Sequence, residues 1–227
     1  MNDELALPAE GRRARRHRET RAALLAAALE LLRERGIYGT RIEDITERAD
    51  VGKGVFYNHF ESKEALFAQL LGEAVDLLER DYLMAVGEQA SLSRRVEGLA
   101  LAQEGFFRDH PEYAMVIHQA RGLLLIDPNG AASLRSAFVD YMRRLSNWIP
   151  GPHDQGAWGT SDLLDVATVI AGSAAGYRSF CIAVGRPIDT GLITATLVSG
   201  VPRVLEKRRR PSKTASTTSR RPSRSRP

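Results

Sequence analysis

Between Thr40 and Lys63 the chain reads TRIEDITERADVGKGVFYNHFESK, and the stretch from Lys53 to His59 gathers several hydrogen-bonding groups. Lys53 is a donor near its tip, and Gly54 has no side chain, so another backbone can approach closely. Val55 can touch a thymine methyl. Tyr57, Asn58 and His59 offer hydrogen bonds on a segment too short to need them for packing. Phe56 and Phe60, four apart, belong to the opposite face and lock the segment onto a neighbour. These groups suit phosphates, which set register, and base edges, which specify sequence. The same residue types also occur in helices as ordinary surface or core residues. A short helix pair around a glycine turn is also found in proteins that never meet DNA.

The elements that must hold these residues are helices. Residues 1–17 lack periodicity and read as a flexible basic arm. A helix is predicted from Arg18 to Arg35, with Ala22, Leu25, Leu29 and Leu32 as its apolar stripe. Gly36 ends it, Ile37 and Tyr38 read as buried connectors, and Gly39 permits the turn. Thr40 and Glu43 have the spacing of a capping box at the start of a second helix, whose apolar face is Ile42, Ile45 and Ala49. Asp50-Val51-Gly52 is a tight turn, and a third helix spans Lys53 to His59. Two short helices about a glycine turn form the helix-turn-helix pattern, in which the second helix enters the major groove. Ser62 caps a fourth helix that carries Leu66, Leu70, Ala74 and Leu77. Lys63 sits at its start, where free backbone N–H groups favour an anion.

Further helices are predicted over Leu92–Asp109, Pro111–Leu124, Ala132–Trp148, Asp162–Val184 and Thr190–Glu206, with Asp127-Pro128-Asn129-Gly130 as a turn and a Pro/Gly-rich loop over 150–159. Pro202 is expected to kink or shorten the last. The fold class is therefore all-α, with about nine helices.

Composition narrows the function classes. The chain is 227 residues, 43% apolar, 26% charged and 7% aromatic, which fits an ordinary globular protein rich in helix. No apolar run is expected to span a bilayer, since Val166–Val184 is interrupted by Ser173, Tyr177, Arg178 and Ser179. Cys181 is the single cysteine, which fits a reducing cytoplasm. The net charge of +4 hides an asymmetry: nine Lys or Arg and no acid follow from Lys207 on, and the body 19–206 carries a net −7. Basic ends on an acidic body fit arms that touch nucleic acid, or a solvated, disordered tail over 207–227. No nucleophile elbow, phosphate-binding glycine loop or metal-ligand spacing is present, so neither catalysis nor a metal or other cofactor is expected. A helical adaptor that binds only proteins stays open, but it leaves Lys53-Gly54 and Tyr57-x-His59-Phe60 unexplained.

The segment resembles the DNA-binding domain of the tetracycline-repressor (TetR) family of bacterial regulators. The residues that carry the resemblance are Thr40, Ile42, Ile45, Ala49, Val51, Lys53, Gly54, Tyr57, His59, Phe60 and Lys63, with Leu66 beyond. It covers residues 18–78, about a quarter of the chain. Gly52 departs from the usual Ser or Thr, removing a hydroxyl that caps the recognition helix or touches phosphate, and Thr46 stands where Ala is frequent. The resemblance implies that Thr40, Tyr57, His59 and Lys63 hold phosphates. It implies that Lys53, Gly54, Val55 and Asn58 meet bases, with Arg41 also in the DNA-binding set. Arg12, Arg13, Arg15 and Arg16 of the arm would reach an adjacent minor groove.

It further implies a helix-turn-helix domain over 18–78, with its motif at 41–60, and a ligand-binding and dimerisation domain over 79–206. The protein would then be a cytoplasmic repressor that binds a palindromic operator as a homodimer and is released by a small-molecule effector. Candidate pocket residues are Phe106, Phe107, His110, Tyr113, Met115, His118, Arg121, Tyr141, Trp148 and Tyr177. The candidate dimer interface is Val166, Ile170, Ser173, Tyr177, Phe180 and Val184, facing Ile193, Leu197 and Val201.

Overall fold

In the computed structural model, residues 11–87, 90–126 and 131–210 are described. The Asp127–Gly130 turn, the first ten residues of the arm and 211–227 of the tail lie outside them. The described residues form nine α-helices and one 3₁₀ turn, Pro152–Asp154, with no strand among them. In chain order the helices are α1 Arg12–Gly39, α2 Ile42–Arg48, α3 Lys53–Tyr57, α4 Lys63–Ala85, α5 Leu92–Asp109, α6 Pro111–Ile126, α7 Ala132–Trp148, α8 Thr160–Ala183 and α9 Thr190–Lys207.

The first helix begins earlier than its apolar pattern suggests. Residues 12–17 are helical, not part of a flexible arm. Arginine is a good helix former, and Arg15 pairs with Glu19 one turn on. The buried stripe is Leu24, Leu25, Ala28, Leu31 and Leu32, while Ala22 faces solvent. At Gly36 the backbone turns to φ 72° and ψ 174°, breaking α1 before its last three residues. Ile37 is buried after that break, whereas Tyr38 is 62% exposed and is not a buried connector.

The cap of α2 lies one residue later than the Thr40–Glu43 pattern predicts. Asp44 Oδ2 accepts the backbone N–H of Arg41 at 3.2 Å, and Arg41 is the N-cap. The Thr40 hydroxyl instead donates to the Gly36 carbonyl at 2.8 Å, and Glu43 is engaged by Lys53. Arg48 ties α2 to α1 through a two-pronged pair with Glu34 at 2.7 and 3.0 Å and a contact to Glu30 at 3.3 Å.

The fourth helix is the spine. Ser62 Oγ accepts from Ala65 N at 3.0 Å at its start, and Leu66, Phe67, Leu70, Leu71, Ala74, Val75, Leu78 and Tyr82 are buried along it. Helices α5, α6 and α7 pack on it. Arg144 of α7 reaches Asp76 at 2.7 Å and also bonds Glu79, which in turn accepts from Trp148 Nε1 at 2.9 Å. Gly98 lets α5 come close: a Cβ there would stand 2.0 Å from Val86 Cγ2.

Helix α9 packs mainly on α5 and also on α8. Pro202 lies inside α9 without ending it. Residues 208–210 are fastened and not part of a free tail. Arg208 meets Asp162 at 3.2 Å, Arg209 meets Asp154 at 3.3 Å, and Arg210 N donates to Ala157 O at 2.8 Å. Helix α8 is long and apolar enough to cross a membrane by length and composition, contrary to the expectation that no run is. Its apolar residues divide between two faces. Val166, Ala167, Ile170, Ala174 and Cys181 point inward, and Val169, Phe180 and Val184, just past its end, point out.

Candidate functional site

The α2–α3 turn is set by Asp50, whose φ of 52° places it in the left-handed region that Asp tolerates better than most residues. Phe56 and Phe60 are buried at 0% and 4% exposure, as their spacing suggests, and Arg21 of α1 lies over the Phe60 ring at 4.9 Å. This anchors one side of α3 and leaves Lys53, Gly54, Tyr57 and Asn58 exposed on the other. Gly54 faces open space, with nothing within 4 Å of an added Cβ. Gly52 caps α3 without a side-chain bond, as its lack of a hydroxyl requires. Arg41 is exposed at the start of α2, beside Asp44.

Several predicted contacts are placed differently. The Thr40 side chain is fully buried, so its hydroxyl holds the Gly36 break and does not face phosphate. Lys63 Nζ donates to the carbonyls of Ile37 and Thr40 at 3.0 Å each, fastening the same link rather than standing free for an anion. His59 is half-buried against His17 with ring centroids 4.2 Å apart, and its Nδ1 is buried without a hydrogen-bond partner. Burial, with help from His17 and Arg21, holds its pKa below the ordinary histidine value, which favours the neutral ring. Lys53 Nζ is paired with Glu43 Oε1 at 2.5 Å in the free protein, and the pair is exposed. Val55 is half-buried between the two faces.

A cavity of about 390 Å³ opens between the end of α5, α6 and the C-terminal half of α8. Of the predicted pocket residues it is lined by Phe107, Met115, His118 and Arg121. The others are used elsewhere. Phe106 is core with His110 against it, and Tyr141 is core. Tyr113 Oη donates to Glu73 at 3.1 Å. Trp148 stacks on Tyr82, and Tyr177 Oη accepts from Asp189 N at 3.1 Å. Sequence reasoning missed Ile117, Gln119, Arg178 and Ile182 in the wall, together with small residues such as Ala114 and Ala175. Arg178 stands out in the sequence only as an interruption of an apolar run.

Gln119 matters most. Its Oε1 accepts the backbone N–H of Ile37 at 2.5 Å, and it lies against Gly36. One side chain thus lines the cavity and holds the link between α1 and α2. A hollow of about 670 Å³ near Tyr82, Arg95 and Pro150 touches neither α6 nor this link.

The predicted dimer stripe mixes two faces. Val166, Ile170, Ile193, Leu197 and Val201 are buried within this chain, because a four-residue spacing on α8 and α9 points them at α5 and α7 or at each other. Ser173 and Tyr177 are half-buried. Only Phe180 and Val184 of the stripe stand out, at 74% and 64% exposure, and Val169, Leu192 and Val204 join them.

Residues 24–70 match the family described as "Bacterial regulatory proteins, tetR family". The HTH-type transcriptional regulator RutR of Escherichia coli K12 is 38% identical over 146 residues, covering 63% of this chain and 68% of RutR. The chain belongs to the TetR family. The HTH-type transcriptional repressor DhaR of Mycobacterium sp. GP1 is 47% identical over 60 residues, which is 26% of this chain and 30% of DhaR. The match to that relative thus spans under a third of its length. A crystal structure of a tetR-family regulatory protein from Rhodococcus RHA1 shares the fold at a TM-score of 0.56 and 19% identity, covering 83% of this chain and 96% of that one. This TetR-family protein is a DNA-binding transcriptional regulator rather than an enzyme; of the two relatives, DhaR is named a repressor and RutR a regulator.

Proposed function

We propose that this chain acts in the cytoplasm as a homodimeric repressor. It reads a palindromic operator through two copies of α3 and releases it when a small molecule enters the α5–α6–α8 cavity. Residues 11–78 form the DNA-binding part and 79–206 the effector-binding and dimerising part. Lys53, Gly54, Tyr57 and Asn58 face the DNA, with Arg41 alongside. Arg12, Arg13, Arg15 and Arg16 lie on the first turns of α1, all exposed, within reach of flanking phosphates.

The observation that carries this reading is Gln119, shared between the cavity wall and the Ile37 N–H. A ligand that competes for this amide or displaces α6 loosens the α1–α2 link and changes how α3 is presented. Such an effector works only through its differential affinity for the two arrangements. The dimer rests on the exposed apolar face of α8 and α9. Gly172, Gly176 and Gly200, each with open space at its Cβ, permit close helix approach to a second copy there. A groove of about 300 Å³ runs along this face between Val169, Ser173, Thr196 and Val204. Twofold pairing sets two recognition helices on successive major grooves.

Sedimentation of the full chain and of Phe180→Glu tests the assembly. The wild type is expected as a dimer, and the variant as a monomer whose operator affinity falls by roughly tenfold or more. A monomeric wild type that binds its operator as tightly as the variant rejects the dimeric reading.

A further inference from the structure

The cavity's chemistry points to a class of ligand, an inference that rests on reading the cavity as the effector site. Its body is apolar, built from Phe107, Ile117, Ile182 and neighbouring alanines. Its charged wall residues are Arg121 and Arg178, with His118 beside them and no Asp or Glu among the described residues of the lining. Arg178 is only 23% exposed, and the carboxylate it meets among the described residues is Glu104, behind the wall at 3.8 Å. That distance is too long for a good hydrogen bond. Both Glu104 oxygens are buried without a hydrogen-bond partner. Burial raises the Glu104 pKa against the opposing pull of Arg178, which favours the neutral acid and leaves the guanidinium poorly compensated. No ion pair joins Arg121 to a carboxylate among the described residues.

We propose that this cavity binds an anionic amphiphile, a molecule with an apolar body and one carboxylate that Arg178 grips with Arg121 beside it. A neutral ligand of the same shape would cover the guanidiniums and leave them without a partner, which is costly. A cationic ligand would add like charge to a wall that already carries two arginines. A carboxylate completes charge-assisted bonds to a guanidinium fork, the geometry that arginine recognises best. The volume of about 390 Å³ lies near the small end of pockets for drug-sized ligands and fits a short apolar body.

The test uses the full-length protein with octanoate, 1-octanol and octyltrimethylammonium as probes, each titrated by calorimetry and by thermal shift. Octanoate is expected to bind about tenfold tighter than 1-octanol, and octyltrimethylammonium weakest. Arg178→Gln is expected to reduce octanoate affinity about tenfold while leaving 1-octanol unchanged. Arg121→Gln provides the same test at a second site if the first variant does not fold. Equal binding of octanoate and 1-octanol, no binding of any probe, or undiminished octanoate binding by a folded arginine variant overturns the proposal. Operator binding by the same preparation, without probe, is measured in parallel. Retained DNA binding with no preference among probes rejects the ligand class and leaves the regulator intact. Charge-selective octanoate binding without DNA binding does the reverse.

Discussion

Replacing Gly36 by alanine strains the link that couples the two halves of the protein. The φ of 72° with ψ of 174° lies in a region essentially reserved for glycine, where another residue costs on the order of 1–3 kcal/mol. An added Cβ would also stand 3.1 Å from Gln119 Oε1. That amide is the end of a flexible side chain, so the crowding is the smaller effect, although relieving it pulls the acceptor away from Ile37 N–H. The expected loss is about 2 kcal/mol, which for a chain of this size lowers Tm by roughly 4–8 °C. Thermal melts followed by far-ultraviolet circular dichroism measure it. Gly72→Ala is the control: it lies inside α4 with nothing within 4 Å of the new Cβ. There alanine removes backbone freedom from the unfolded chain, and a gain of about 0.5–1 kcal/mol is expected. The two variants should therefore shift in opposite directions. If Gly36→Ala melts at or above the wild type, the account of this link is wrong.

Three more outcomes follow from the geometry. Gly54→Ala meets nothing in the free protein, so Tm should hold or rise by the equivalent of about 1 kcal/mol, while operator affinity by fluorescence anisotropy falls; unchanged affinity removes Gly54 from the interface. Gly98→Ala places a Cβ 2.0 Å from Val86 Cγ2 and should cost about 1–3 kcal/mol in urea unfolding, with a neutral result refuting the close α4–α5 approach. Burial raises the Glu104 pKa, so the stability tied to its protonation is present below the ordinary value of 4.5 and is lost as pH rises through the folded value. Glu104→Gln should therefore flatten the pH dependence of Tm above that point and match or exceed the wild type at neutral pH. A variant that melts lower there shows that the attraction to Arg178 outweighs the cost of burial.

Much of the helical order was legible from periodicity and punctuation. The bounds of α5 and α7 are those predicted, Leu92–Asp109 with Pro111 opening the next helix and Ala132–Trp148 before the Pro/Gly-rich loop. The α3 face was legible because Phe56 and Phe60 mark the buried side and leave the polar side by elimination. The start of α1 was not, since a run of arginines has helix propensity but no apolar stripe to reveal it. Both faces of α8 are apolar, so spacing alone could not separate the residues that pack on α5 and α7 from those left outside. The cavity was the least legible. Large aromatic residues attract notice, but Tyr141 and Trp148 fill core, while the wall uses alanines that carry no chemical signal. Gln119 had no sequence signature, because its role depends on a backbone N–H 82 positions away.

The central claim is that the exposed side of α3 reads a specific DNA sequence. Selection of bound sequences from a random DNA pool, with wild type and Tyr57→Ala in parallel, tests it most directly. Wild type should enrich one palindrome, with half-sites about one helical turn or more apart, and Tyr57→Ala should lose that enrichment while keeping its fold. Enrichment of nothing, or equal binding by both proteins that depends only on salt and not on sequence, would contradict the account.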